Sequence, residues 1–564
     1  AYALNCFGGA GAQHACLIAD TLGMETVLIH PLAGVLSAYG MGLADIRANR
    51  QRAIERKLDA KAMAELKRAA KDLTTANLDE LKAQGIAKSE ARTFPRAHLR
   101  YAGTDSSLPV DLAEPEKMRR AFEKAHRKQF GFITPGKDIV VEAVSVESVG
   151  GGSKFREPAA KLTRSSAKPM AQTKVFSQGK WRKAPIHSRD DLKPGQTIKG
   201  PALIVEAHNT TAVEDGWQAQ LSGRKHLILT RASKAKRKHA IGTKADPVML
   251  EVFNNLFMSI AEQMGVTLEK TAYSVNIKER LDFSCAVFNH AGELIANAPH
   301  MPVHLGSMDR SVETIIAENP VMRPGDVYLL NAPYNGGTHL PDITAVTPVF
   351  DDKGKKILFY VASRGHHADV GGKAPGSMTP AATAITEEGV VIDNFKLVDR
   401  GRLREKELHA LLTSGPYPCR NPAQNIADLK AQIAANEKGV QELRKMVDQF
   451  GLKVVQAYMK HVQDNAEESV RRFIGALKDS SFSYEMDQGT VIKVKITVDR
   501  KTRSAKVDFT GTSPQQPTNF NAPRPITRAA TLYVFRCMVD DNIPMNAGCL
   551  KPIDICLLYT SDAA

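Results

Sequence analysis

Gly336-Gly337-Thr338-His339-Leu340-Pro341-Asp342 and Ser363-Arg364-Gly365-His366-His367-Ala368-Asp369-Val370-Gly371-Gly372 are two glycine-bounded, histidine-bearing loops within residues 331–372. Between them, residues 343–350 and 356–362 are apolar and β-branched, a composition that predicts adjacent strands. If those strands pair, both loops reach neighbouring edges of one sheet, and His339, Asp342 and the His366/His367 pair can converge. That is the outline of a hard-metal or acid/base site. A single His-x-x-Asp serves equally well as a turn cap. Two such loops one hairpin apart shift the balance towards a site.

Working outward, Asp246-Pro247 supplies an N-cap and an N1 proline for a helix over residues 246–263. Glu279, Arg280 and Asp282 crowd just ahead of an apolar strand, and charges entering a core must pair or bind something. Glu279 and Asp282 are therefore candidate ligands or ion-pair partners of Arg280. Pro302-Val303-His304-Leu305-Gly306 is a further glycine loop leading into a helix, suited to holding a carboxylate. Apolar spacing predicts an amphipathic helix over 421–450 that packs on the sheet, with Gln432 and Asn436 as polar exceptions. A helix over 454–478, a hairpin over 491–509 and a helix over 526–538 follow.

Upstream, residues 4–7 predict a strand that breaks at Gly8-Gly9-Ala10-Gly11 and continues as a helix. Strand, glycine turn and helix N-terminus can cradle an anion or nucleotide, although a tight structural turn reads the same. Residues 52–85 are rich in Lys, Glu, Ala and Leu and predict a solvated helical pair. Residues 154–171 read as a linker, and 173–230 as short strands of a small β domain. His208 sits in one of its loops and is assigned a structural role.

The 564 residues exceed what one core can organise and predict about three or four domains. Lys and Arg exceed Asp and Glu, 76 to 61, for a formal charge of +15. The dense basic run, Lys234-Ala235-Lys236-Arg237-Lys238-His239, has neither hydrophobic periodicity nor interleaved aromatics, so a solvated linker is favoured over a nucleic-acid arm. Seven scattered cysteines without a Cys-x-x-Cys pair argue against a disulfide framework and for a reducing, cytosolic setting. No apolar run approaches the ~20 residues of a membrane span. The opening Ala1-Tyr2-Ala3 carries no initiating Met, and the chain is expected to begin inside a domain. Residues 556–564 show no periodicity and are expected to be a non-native tail.

Several of these motifs carry a resemblance. Cys6-Phe7-Gly8-Gly9-Ala10-Gly11-Ala12-Gln13-His14-Ala15 and Gly34-Val35-Leu36-Ser37-Ala38 resemble the end of the ATPase part of hydantoinase A, and Gly200-Pro201-Ala202 with Gly216-Trp217 resembles its C-terminal module. Ile277 to Ser284, Pro302 to Gly306, Gly337 to Asp342 and Arg364 to Asp369 resemble hydantoinase B. Both parts on one chain, with Arg100-Tyr101-Ala102-Gly103-Thr104-Asp105, are similar to the fused, ATP-dependent oxoprolinase branch of this family. The resemblance implies α/β and α+β multidomain architecture. The end of an actin-like ATPase domain is expected at 1–153, a linker at 154–172, a β-rich module at 173–231, a basic linker at 232–245 and a mixed α/β hydantoinase B-type domain at 246–555.

The resemblance also implies a reaction: ATP-driven opening of the lactam of 5-oxo-L-proline to L-glutamate, with release of ADP and phosphate, in the glutathione (γ-glutamyl) cycle. An unstrained lactam is a poor electrophile, and phosphorylating its oxygen creates a leaving group for water to displace. ATP would lie against Gly8, Gly9, Ala10 and Gly11. Glu279, His339, Asp342 and His366 would hold a divalent metal, magnesium or manganese. His304, His366, His367 and Asp369 would serve the chemistry, with His366 preferred to His367 as ligand. The implied partners are the small-molecule substrate and ATP, with no nucleic acid and no membrane, in a homo-oligomer. An ATP-dependent hydantoinase and an acetone-type carboxylase of the same family are the alternatives, and a non-catalytic scaffold a third. The family's N-terminal phosphate-binding half is missing from this stretch, so the piece alone is expected to bind nucleotide poorly and to be inactive.

Overall fold

The computed structural model describes residues 2–557 apart from 103, 105–106, 152–156, 164, 178–179, 233–241, 378, 380, 541–542 and the side chain of Leu305. The basic run at 234–239 and most of the 556–564 tail therefore lie outside the described residues. Two compact units emerge. One comprises Ala1–Arg52, Lys67–Pro95 and Ser145–Gly242, the other Ala53–Leu66, Arg96–Val144 and Thr243–Ala564.

In the first unit, Leu4–Cys6 runs parallel to Thr26–Ile29, which pairs antiparallel with Leu227–Arg231 and so continues through Trp217–Leu221 to Thr197–Lys199. Strands of the β-rich stretch and of the first 29 residues thus share one sheet and one core. Trp217 is fully buried in that core, and its Nε1 donates to Asp20 Oδ1 at 3.1 Å. A second sheet is formed by Asn209–Val213, Ala202–Glu206, Lys180–Ser188 and Ala171–Ser177. The described part of the 154–171 linker lies on this unit, with Ala160 N bonded to Gly223 O and Thr163 N to Pro194 O.

The predicted helical pair over 52–85 is instead the end of a strand, Ile46–Lys57, and a single helix, Ala60–Ala83. Composition there is helical, yet pairing overrides it, and Leu58 N already bonds Ile139 O.

The second unit is built on a seven-stranded antiparallel sheet. Its strands in chain order are β1 (Phe283–Asn289), β2 (Leu294–Asn297), β3 (Val327–Leu330), β4 (Asp342–Phe350), β5 (Ile357–His366), β6 (Phe395–Asp399) and β7 (Arg402–Leu403), and across the sheet they run β2-β1-β5-β4-β3-β6-β7. The two strands expected between the histidine loops are neighbours at its centre, and every residue of β4 is buried. Burial on both faces explains why they read as continuous apolar runs rather than alternating ones.

Helices α1 (Pro247–Thr271) and α3 (Pro422–Phe450) cover one face, and α2 (Met308–Glu318) packs on the sheet with Met308, Val312 and Ile315 in a core with Phe288, Tyr328 and Tyr360. Asp246 caps α1 by accepting from Met249 N at 2.9 Å. The helix runs to Thr271 rather than 263 because Met264 and Leu268 continue its buried stripe. Asn421 caps α3 in the same manner.

The two polar exceptions of α3 fasten it to the sheet. Gln432 Nε2 donates to Ile343 O and Ser363 O at 2.9 and 3.0 Å, and Asn436 Nδ2 donates to Ala345 O at 2.9 Å. Further along, Leu452–Ala476, the hairpin Val491–Asp499 with Ser504–Asp508, and the helix Arg524–Cys537 match the expected elements. Cys556, expected in the tail, is the last residue of a strand that pairs with Asp508. The parallel partner, Ser504–Asp508, lies 48 residues away in sequence, so no local pattern marks it.

Candidate metal centre and active-site cavity

Register brings the histidine loops together. In the β4–β5 ladder Asp342 is the direct partner of His366, so a carboxylate and an imidazole face each other at the end of the hairpin. A turn in which Asp342 N bonds His339 O swings the third side chain back onto them. His339 Nε2 lies 2.9 Å from Asp342 Oδ1 and 3.1 Å from His366 Nδ1, which is itself 3.0 Å from Asp342 Oδ1. Two imidazole nitrogens and one carboxylate oxygen thus meet within about the spacing of ligands around one ion.

The second carboxylate oxygen is held from behind. Asp342 Oδ2 accepts from Thr338 Oγ1 at 2.6 Å and faces His304 Nε2 at 3.1 Å, while His304 Nδ1 lies 3.2 Å from Ser284 Oγ. Partners of this kind fix the orientation of a ligating carboxylate. Burial by itself would raise the Asp342 carboxyl, but the charge of His304 and the bonds from His304, His339 and His366 outweigh it and hold the group well below the usual range. Asp342 is accordingly an anion although 1% exposed. His339, at 40%, is the member open to solvent.

The predicted residues divide. His339, Asp342 and His366 converge, and His304 backs them. Glu279 does not join them: it is exposed, at the C-terminal end of the short helix Val275–Lys278, and forms no described contact with the three. The carboxylate beside them is Asp282, with Oδ2 4.0 Å from His366 Nδ1 and its carbonyl accepting from His366 N. Leu281, just before it, adopts φ 56°, the left-handed region that non-glycine residues rarely enter, and this turns the chain so that Asp282 faces inward. Asp282 is a candidate ligand that the sequence already offered beside Glu279, and only the turn separates the two.

His367 is fully buried and points into the protein. Asn425 Nδ2 donates to its Nδ1, which leaves Nε2 to donate to Gln432 Oε1 at 3.1 Å. Asp369 ties a loop, accepting from Gly371 N, Gly376 N and Arg420 N and pairing with Arg420 Nη1 at 2.6 Å. Neither faces the three converging side chains. Thr338 and Ser284, absent from the expected set, hold Asp342 and His304, but hydroxyls in a loop and a strand carry no sequence signal for that role.

A cavity of about 430 Å3 opens beside the centre, lined by His339, Thr338, Glu388, Thr383, Gln516 and Asn519 among others, a size suited to a small ligand. Burial raises the Glu388 carboxyl, with His339 acting in the opposite direction.

At the other expected site, Gly8-Gly9-Ala10-Gly11 forms the predicted turn after the strand Leu4–Cys6, and Gly8 has φ 91°. The helix that follows, Ala15–Thr21, is short and has no side-chain N-cap. Gly8 N bonds Ala33 O, and a side chain at Gly9 would sit 3.3 Å from the carbonyl oxygen of His208.

Sequence comparison places these features in a family. The profile described as Hydantoinase B/oxoprolinase matches residues 246–560, that of Hydantoinase/oxoprolinase residues 1–50, and its C-terminal domain residues 53–232. The chain is 40% identical to 5-oxoprolinase 1 of Arabidopsis thaliana, over 98% of this chain and 46% of that protein. It is 37% identical to 5-oxoprolinase of Saccharomyces cerevisiae, over 98% of this chain and 45% of that one. It therefore spans about half the length of these relatives. Among solved structures, the ATP-dependent caprolactamase from Pseudomonas jessenii aligns with 56% of this chain and 54% of its own at 27% identity, with a TM-score of 0.49. With one profile covering more than half of its residues, the chain belongs to the hydantoinase B/oxoprolinase family.

Proposed function

We propose that this chain forms part of an ATP-dependent 5-oxoprolinase, which opens 5-oxo-L-proline to L-glutamate and releases ADP and phosphate. The observation that carries this reading is the 40% identity to a 5-oxoprolinase along 98% of the chain, together with an intact cluster of His339, Asp342 and His366. We assign the ATP contacts to Gly8, Gly9, Ala10 and Gly11 and place the enzyme in the cytosol as a homo-oligomer. All seven cysteines are free thiols, as a reducing compartment requires, and among the described residues no helix is long and apolar enough to cross a membrane.

His339, Asp342 and His366, with Asp282 at the edge, fit a divalent metal. Their nitrogen and oxygen donors favour manganese, zinc or a similar transition ion over magnesium, which prefers oxygen ligands. Such an ion would polarise an oxygen and lower the pKa of water. In the reaction the lactam oxygen takes the γ-phosphoryl group and ADP leaves. Water adds to the activated ring carbon, the C–N bond breaks with a proton passing to nitrogen, and a second water releases phosphate. Glu388, on the same cavity and with a raised carboxyl, is the group placed to relay that proton. His304 keeps Asp342 ionised and oriented throughout.

The test uses the complete enzyme supplied in turn with 5-oxoproline, N-methylhydantoin, and acetone with bicarbonate, with ADP and glutamate as readouts. ATP-dependent glutamate formation that falls at least about a hundredfold in His339→Ala is expected. Turnover of one of the other substrates alone, or full activity in His339→Ala, overturns the assignment.

A further inference from the structure

The first unit contains a second convergence of imidazoles on a carboxylate, which the reaction above leaves unused. Strands Thr26–Ile29 and Leu227–Arg231 pair with Ile29 opposite Leu227, so the next residues outward, His30 and His226, leave the sheet end side by side. Their ring centroids lie 5.0 Å apart. Glu157 spans them, with Oε1 2.7 Å from His30 Nε2 and Oε2 2.8 Å from His226 Nε2. The Tyr39 hydroxyl donates to Oε1 at 3.2 Å. All three side chains are at least three-quarters buried, with exposures of 13%, 25% and 19% for His30, Glu157 and His226. The bond from His30, before all else, holds the Glu157 carboxyl below its usual range.

We propose that His30, Glu157 and His226 form a second divalent-metal site, with zinc the ion of best fit, which ties the segment beginning at Glu157 to the end of the sheet. The donor atoms lie within 4.8 Å of one another, and ligands around a tetrahedral zinc at ~2.0–2.1 Å are ~3.3 Å apart, so side-chain adjustments of about 1 Å seat the ion. The set is two neutral imidazoles and one carboxylate, with water at the fourth position and Tyr39 as the outer hydrogen-bond partner of the ligating carboxylate. Proton balance is explicit. The Nε2 hydrogens that now point at Glu157 give way to the ion, and the single proton of each neutral ring moves to Nδ1. His30 Nδ1 presently accepts from Leu32 N at 3.0 Å, and on binding this exposed amide turns to water. Without a metal the same groups form a carboxylate bridged by two imidazole N–H donors, which the experiment separates.

Metal binding is measured on the whole chain carrying His339→Ala and His366→Ala, so that the hairpin centre cannot contribute and its own failure or success stays separate. Zinc and cobalt are titrated by calorimetry and by cobalt absorption in the visible, with thermal denaturation in parallel. We expect about one equivalent to bind, with the absorption of a low-symmetry imidazole site and a rise in Tm. Adding His226→Gln or Glu157→Gln, which keep size and hydrogen-bonding capacity, weakens zinc at least about tenfold and removes the Tm rise. Binding that is unchanged by both substitutions, or no binding of zinc at tens of micromolar by the parent, overturns the proposal. Correct folding of the variants is read from unchanged far-ultraviolet circular dichroism.

Discussion

Replacing Gln432 by Leu tests whether the helix over the sheet holds the candidate metal centre in register. The side chain is fully buried, and its amide serves three partners: Ile343 O, Ser363 O and, through Oε1, His367 Nε2. Ile343 follows Asp342 and Ser363 lies three residues before His366, so these bonds pin both strands next to the converging side chains. Leucine fills a similar volume without donors or acceptors. Each buried group left unpaired costs about 1–3 kcal/mol, and because the three share one site the sum is less than additive, about 3–5 kcal/mol. At ~2–4 °C per kcal/mol for a domain of this order, Tm falls by about 6–20 °C. Hydrogen exchange at the amides of 343–347 and 363–366 should quicken, and metal affinity at His339, Asp342 and His366 should drop although none of them is altered. A fall in Tm below about 2 °C with unchanged exchange would refute the reasoning, because it would mean that water or strand relaxation replaces the amide at no cost.

Three further outcomes follow from single sites. His126 is buried with its Nδ1 donating to Phe132 O and Lys430 nearby, and burial depresses its pKa to about 4. The unfolded chain therefore binds the extra proton between about pH 6.5 and 4, stability falls as pH drops through that window, and going from pH 7 to 5 costs about 1–2 kcal/mol, an acid sensitivity that His126→Gln removes in pH-dependent denaturation. Asp369→Ala removes the carboxylate partner of Arg420, which keeps Gly371 O and Gly372 O, and leaves three backbone amides without their acceptor, so it lowers stability by about 1–3 kcal/mol, while the complete enzyme loses less activity than with His366→Ala. Asp246→Ala removes the N-cap of α1 and costs about 1 kcal/mol, read as a small shift in the denaturant midpoint.

The histidine hairpin was legible because its signals are local. Glycine turns bound it, β-branched runs form its strands, and period-two geometry fixes that Asp342 and His366 share a rung once the strands pair. The capped starts of α1 and α3 were legible for the same reason, since Asp246-Pro247 and Asn421-Pro422 hold their own first turns. What escaped depends on distant partners. Arg52 to Lys57 has helical composition and becomes strand through pairing, and Glu279 and Asp282 differ only through the left-handed turn at Leu281. His367 and Asp369 sit in the same motif as His366, but the Asn425, Gln432 and Arg420 contacts hold them away from the three converging side chains. The sharing of one sheet between the first 29 residues and those after 190 could not be read from either stretch alone.

All three converging side chains lie at one end of the β4–β5 hairpin, and the chain reverses at the other, across the nine residues of β4, through a turn closed by Asp351 N to Lys356 O with Asp352 and Lys353 exposed. Length can therefore change at Lys353 without shifting a donor atom, which makes that turn the place to graft a fluorophore or an affinity peptide. One residue added within either strand would instead invert the faces of Asp342 or His366 and dismantle the centre in a single step.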